Sequence, residues 1–268
     1  QISQRQRRLR SLERRLQTGD LAFSPEALDV TEALLPLNGV ESVTSEPGRG
    51  GGGRTSTVTV NQAVRGRLAE LFVLEVCWQR FRALGPTDRI AVLDAIALCR
   101  RDGPGDVPWG TATAWRKLEK DLNAHGDALI DLTDDEEAAK LESVFKALIE
   151  VANEQGPGFD VLDPFGEWGA DGSETITPRR VEIKAVLSPV ESLDGHRVVL
   201  TTNEFHRARQ DPTSYILRLV SVPREEDNVG NVRWFGDIAD PVAALKLADR
   251  MVLGVRSGNL PFTLRWKR

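Results

Sequence analysis

The sequence predicts a mixed α/β fold, in which a central mixed β-sheet is flanked by helices and extended by an N-terminal helical region. Two observations support this fold class. Apolar residues recur at helical spacing across residues 61–153, whereas residues 156–222 form short apolar or β-branched runs separated by turn residues. One helical segment crosses between the strands of the second region. Helices followed by strands with one crossing helix indicate layers packed around a sheet.

The composition excludes several classes of protein. Of the 268 residues, 40% are apolar and 28% are charged, and the formal net charge is −5. Any nucleic-acid surface must therefore be a local patch. No apolar run approaches the roughly 20 residues of a membrane span and no signal peptide is recognisable, so we expect a cytoplasmic protein without a membrane partner. The two cysteines, Cys77 and Cys99, predict free thiols and no zinc site.

The N-terminal 17 residues predict an arginine-rich helix. Leu9, Leu12 and Leu16 recur at helical spacing among six arginines. Two interpretations are open. The helix docks through its leucines with the arginines in solvent, or it is an arm that contacts phosphates.

A short helix and a linker follow. Within 18–45 the helix begins after Ser24, with Pro25 in its first turn. The glycine-rich segment 46–55 cannot form a stable element and predicts a flexible linker. We therefore expect an N-terminal arm and linker, 1–54, and a main domain, 55–268.

The main domain is predicted to contain a helical layer, a β core and closing elements. In the layer, 61–153, apolar spacing predicts helices at 61–84, 87–101, 111–124 and 134–153, with Thr87 as a candidate cap. In the core, 156–222, strands are expected at 159–162, 180–186, 197–201 and 215–222, and a helix at 203–210 capped by Thr202 or Asn203. The closing elements, 223–268, are a strand at 233–235, a helix at 241–251 and a strand at 262–266.

Two acids and a lysine in the β core suggest chemistry. Glu182 and Lys184 are two residues apart on one expected strand and therefore share a face, while Asp160 opens the preceding strand. An antiparallel pair would bring the acids close. Carboxylates hold Mg²⁺, and a lysine beside them supplies a point charge for phosphodiester hydrolysis. The Ile183 carbonyl is a further candidate metal ligand. A Glu-x-Lys pair by itself is also typical of the charged face of a surface strand.

Four segments carry a family resemblance. They are Gly158-Phe159-Asp160-Val161-Leu162, Val181-Glu182-Ile183-Lys184, Leu200-Thr201-Thr202-Asn203-Glu204-Phe205 and Tyr215-Ile216-Leu217-Arg218-Leu219-Val220. Together they resemble the C-terminal domain of NO VEIN-type proteins, which is similar to the PD-(D/E)xK nuclease superfamily with its restriction-endonuclease-like fold. The resemblance spans roughly residues 62–222 and is strongest over 156–220.

The resemblance implies roles for single residues. Asp160 and Glu182 correspond to metal-binding acids for Mg²⁺ or Mn²⁺, and Lys184 to the catalytic lysine. The segment Gly66-Arg67-Leu68-Ala69-Glu70 resembles the first helix of the superfamily, which makes Glu70 a candidate additional ligand. Arg207 and Arg209, on the helix that follows the acids, are candidate contacts to nucleic-acid phosphates.

The expected function is therefore Mg²⁺-dependent hydrolysis of nucleic acid. By resemblance, the chain is a DNA endonuclease effector of a prokaryotic restriction or anti-phage defence system, acting with other subunits or as a homodimer. One alternative is a non-catalytic module on the same fold that binds nucleic acid or protein. Another is a modification-dependent nuclease, in which residues 1–150 recognise a modified base through a pocket lined by Trp109 or Trp115 and the C-terminal half cuts. The choice between DNA and RNA is left open by the sequence.

Overall fold

The computed structural model of this chain describes residues 3–29, 40–43, 60–101, 135–151, 158–168, 174–187, 197–225, 228–245 and 260–266. The predicted glycine-rich linker, the predicted helix at 111–124 and both candidate pocket tryptophans, Trp109 and Trp115, lie outside these ranges. These expectations therefore stay predictions.

Apart from one short strand at Val40–Val43, the described elements follow one another in the predicted order, with helices first. The helices are α1 Gln4–Gln17, α2 Pro25–Leu28, α3 Val60–Ala83, α4 Pro86–Arg101, α5 Asp135–Ile149, α6 Thr202–Gln210 and α7 Pro241–Ala244. The strands are β1 Val40–Val43, β2 Val161–Trp168, β3 Glu174–Leu187, β4 Arg197–Leu200, β5 Tyr215–Val222, β6 Arg233–Ala239 and β7 Leu260–Trp266.

The strands form two sheets. A mixed four-stranded sheet has the order β2-β3-β5-β6, and helices flank it, which confirms the α+β class. Strands β2 and β3 are antiparallel, as are β5 and β6. The strand β4, expected in the same core, instead pairs with β7 in a three-stranded sheet of order β1-β7-β4. The strand β1 was not anticipated.

The chain divides into two compact units. The first unit comprises residues 1–72 and 183–268, and the second comprises residues 73–182, so that the division falls within β3. In the second unit the rings of Phe81 and Phe145 stack at 4.1 Å between centroids, and both side chains are fully buried. In the first unit every residue of β5 is buried, as is typical of a strand covered on both faces.

Two helix starts differ from prediction by local rules of capping. Helix α4 begins at Pro86, which suits the first helical position because proline lacks the N–H that would be unsatisfied there. Thr87 therefore lies inside the helix and does not cap it. Helix α6 is capped by Thr201, and not by Thr202 or Asn203. The Thr201 hydroxyl accepts from the Glu204 N–H, and the Glu204 carboxylate accepts from the Thr201 N–H, which together form a capping box.

Helix α1 is present as predicted and docks by one side. Ser3 and Gln6 form a capping box at its start, and Leu12 is only 3% exposed. Leu12 belongs to the row of Leu9, Leu12 and Leu16, which we call the leucine stripe. The helix therefore docks through its leucines, as the first of the two interpretations of this helix required. In the described part of the chain, no helix is long and apolar enough to span a membrane.

Candidate functional site

Asp160 lies immediately before β2, next to the part of β3 that carries Glu182. Val161, the first residue of β2, is the partner of Val181, which is the residue before Glu182 on β3. The Asp160 N–H donates to the Val181 carbonyl at 3.0 Å, and the Asp160 carbonyl accepts from the Val151 N–H at 3.1 Å. That the carboxylates of Asp160 and Glu182 share a face, as strand alternation would require, stays a prediction.

The burial of Glu182 distinguishes it from a surface acid. Glu182 is 3% exposed, and its neighbours Val181 and Ile183 on the other face are 0% and 7% exposed. Asp160 is half-buried. Fully buried glutamates are rare, and a buried carboxylate needs hydrogen bonds, a cation or a metal to offset its lost hydration. The interpretation of this Glu-x-Lys pair as the charged face of a surface strand does not fit this burial.

Lys184 forms an ion pair with the first turn of α6. Its Nζ donates to Oε2 of Glu204 at 3.0 Å, and the two side chains are 21% and 13% exposed. The same oxygen accepts from the Thr201 N–H at 2.9 Å. The sequence gave no sign of this contact between Glu204 and Lys184, which are 20 residues apart.

Glu70 lies in a small network of charges on α1 and α3. Its Oε2 accepts from Nη1 of Arg67 at 2.9 Å, and Nε of the same arginine donates to Oε1 of Glu13 at 2.9 Å. Glu70 therefore has a cationic partner, Arg67, and belongs to the first unit, whereas Asp160 and Glu182 belong to the second. Its role as a further metal ligand stays a prediction.

The two arginines proposed to contact nucleic acid differ in their exposure to solvent. Arg209 is exposed near the end of α6, whereas Arg207 is only 5% exposed. A guanidinium buried to that extent is not presented to a phosphate, so Arg207 has no part in the proposals below.

Metal coordination by a large cluster of side chains is not evident. Among the described residues, no group of three or more His, Cys, Asp or Glu is arranged to hold a metal ion. A site here would depend on two carboxylates with a backbone carbonyl such as that of Ile183. Such oxygen ligands suit Mg²⁺, which commonly keeps several waters and needs only one or two carboxylates from the protein.

Comparison with known proteins adds nothing to this site, because the chain matches no protein-family model, no curated protein and no solved structure.

Proposed function

We propose that this chain is a metal-dependent nuclease that hydrolyses phosphodiester bonds of DNA. The observation that carries the proposal is the proximity of two acids, one just before β2 and one on β3. Asp160 directly precedes β2, its N–H donates to the carbonyl of Val181 at 3.0 Å, and the next residue of β3, Glu182, is buried. Lys184 follows two residues later on the same strand.

The two carboxylates supply hard oxygen ligands, and the Ile183 carbonyl supplies a third, which is the donor chemistry that Mg²⁺ or Mn²⁺ prefers. A bound Mg²⁺ would offset charge on the scissile phosphate and lower the pKa of a bound water. Asp160 and Glu182 would hold this ion. Lys184 would place its ammonium against the attacking water or the charge that develops on the phosphate. Glu204 would fix the position of that ammonium through the 3.0 Å contact.

The finer identity belongs to the same proposal. The segments that resemble the PD-(D/E)xK superfamily suggest a restriction-endonuclease-like nuclease in a prokaryotic defence system, working on DNA with other subunits. Cleavage of both strands of a duplex requires two such sites, which a homodimer would supply.

The test is cleavage of supercoiled plasmid DNA by the purified protein with Mg²⁺, with Mn²⁺ and with a chelator. We expect nicked and then linear DNA only with metal. The variants Asp160→Asn, Glu182→Gln and Lys184→Met should lower the rate by about 100-fold or more, because each removes a group that acts in the transition state. Parallel reactions on single-stranded RNA decide between DNA and RNA.

Asp163→Asn is the matched control. Asp163 is a buried acid on β2 whose partner, Arg179, is three residues before Glu182 on β3, so that Asp163 lies on the opposite face from Glu182. Its Oδ1 accepts from the Phe165 N–H at 2.9 Å. An amide oxygen preserves that bond, so cleavage should persist. Equal cleavage by the wild type and Glu182→Gln would refute the proposal. Retained DNA binding without any metal-dependent cleavage would favour the non-catalytic module instead.

A further inference from the structure

Three arginines form a row on the solvent side of α1. Arg7, Arg10 and Arg14 follow the spacing i, i+3 and i+7, which places them on one side of a helix, and all three are exposed. We call this row the arginine face. It lies roughly opposite the leucine stripe, which contains the buried Leu12.

The helix that carries the arginine face is held in place by several contacts within the first unit. Nη1 of Arg8 donates to Oδ1 of Asn61 at 2.9 Å. Glu13 accepts from Nε of Arg67 at 2.9 Å, which joins α1 to α3 a second time. With Leu12 buried as well, α1 is anchored through its flanks and its apolar side. The arginine face is therefore presented by a fixed helix.

The charge of α1 opposes that of the whole chain. The helix has six arginines and one acid, although the chain has a net charge of −5. Its single acid, Glu13, is already paired with Arg67. Positive charge concentrated in this way on an acidic protein produces a local positive potential, which favours a polyanionic partner.

We propose that the arginine face binds the phosphate backbone of duplex DNA, independently of any cleavage chemistry. From Arg7 to Arg14 the helix rises about 10 Å at 1.5 Å per residue. One strand of DNA carries a phosphate about every 3.4 Å along its axis. Each of the three guanidinium groups can therefore meet its own phosphate.

Other polyanions fit the arginine face less well. Single strands are bound mainly by stacking on aromatic side chains, and α1 contains none. An interfacial membrane helix inserts its apolar side, but here that side is occupied by the packing of Leu12. The major groove of B-form DNA is wide enough to admit an α-helix, whereas that of A-form RNA is deep and narrow.

The test measures binding of the full chain to a fluorescent DNA duplex by anisotropy, in chelator, across a range of salt. For the variant Arg7→Gln/Arg10→Gln/Arg14→Gln we expect the slope of log K against log salt to become shallower by about 2.7, at about 0.9 per phosphate contact. Over a fourfold rise in salt concentration, the wild type should therefore lose about 40-fold more affinity for DNA than this variant, because it makes three more phosphate contacts. Glutamine retains helix propensity, and circular dichroism verifies that the variant folds.

The matched control is Arg82→Gln/Arg224→Gln/Arg233→Gln, which removes the same charge from three exposed arginines elsewhere. Its slope should stay close to that of the wild type. The proposal is overturned if the two triple variants lose affinity equally, or if the α1 variant keeps the wild-type slope. It is also overturned if the arginine face binds single-stranded DNA, duplex RNA or anionic phospholipid vesicles as tightly as duplex DNA. Since no metal is present, failure of cleavage leaves these outcomes unaffected.

Discussion

The ammonium of Lys184 and the carboxylate of Glu204 lie 3.0 Å apart, so that the end of β3 is joined to the first turn of α6. One oxygen of Glu204 accepts both from Lys184 and from the Thr201 N–H that belongs to the capping box. The start of the helix and the position of the lysine are therefore mutually dependent. A shift of α6 would move Lys184, and loss of the lysine would remove a restraint on the helix start.

The first prediction distinguishes the stability contributed by the Lys184–Glu204 ion pair from that contributed by the capping box of α6. Glu204→Gln retains a capping-box acceptor but removes the charge, whereas Lys184→Met removes the other partner. In a double-mutant cycle read by urea unfolding, we expect a coupling free energy of about 1 kcal/mol, because both side chains are mostly buried. Thr201→Ser, which retains the cap hydroxyl, should be close to neutral. Additive effects of the two substitutions would show that the contact contributes no stability.

The second prediction concerns metal binding and needs no activity. If Asp160 and Glu182 hold Mg²⁺, the ion binds the folded chain only, and saturation at about 100 times Kd adds about 2.7 kcal/mol to the free energy of unfolding. The melting temperature of the wild type should rise with Mg²⁺. That of Glu182→Gln and of Asp160→Asn should not.

Asp163→Asn is the control for the metal titration, since it alters a buried acid that lies on the opposite face of the sheet from Glu182. It should retain the Mg²⁺-dependent rise. A rise of the same size in Glu182→Gln would place metal binding elsewhere in the chain.

The elements that the sequence predicted well have local causes. The strand β5 was expected at 215–222 and is found there, because an apolar run between turn residues is sufficient to define it. The helix expected at 61–84 is found at Val60–Ala83, because its apolar residues recur at helical spacing over a long and regular segment. In the candidate site, the run of apolar and β-branched residues was enough to predict the strand that carries Glu182 and Lys184.

The elements that were missed depend on distant partners. The four residues of β1 become a strand by pairing with β7, where Val40 faces Trp266, and so short a segment has little local signal. The strand β4 joins the same sheet, again through β7. The burial of Arg207 depends on which side of α6 packs, and the Lys184–Glu204 contact depends on where α6 lies relative to β3.

The third prediction concerns an ion pair between β5 and β6. Nε and Nη2 of Arg218 donate to the two carboxylate oxygens of Asp237, each at 2.9 Å, and the guanidinium stacks on Trp234 at 3.6 Å. Arg218 is 3% exposed. Asp237→Asn should lower the free energy of unfolding by about 3 kcal/mol, because a buried charge loses its counter-charge. Chemical denaturation measures the loss.

The paired replacement Arg218→Met/Asp237→Leu is the informative companion to Asp237→Asn. Replacement of both charges by apolar groups should recover much of the lost stability, since no uncompensated charge is left. A double variant that is less stable than Asp237→Asn would show that the stacking on Trp234, and not the charge balance, dominates.

The fourth prediction concerns the core of the second unit. The rings of Phe81 and Phe145 are 4.1 Å apart and nearly parallel at 8°, and neither side chain is exposed. Phe145→Ala should cost about 4 kcal/mol, from lost apolar burial and the cavity left behind. Phe145→Leu fills most of that space and should cost clearly less. Ser143→Ala, at an exposed position on the same helix, should change stability by less than about 0.5 kcal/mol. Equal urea midpoints for Phe145→Ala and Ser143→Ala would mean that the stacked pair does not support the folded state.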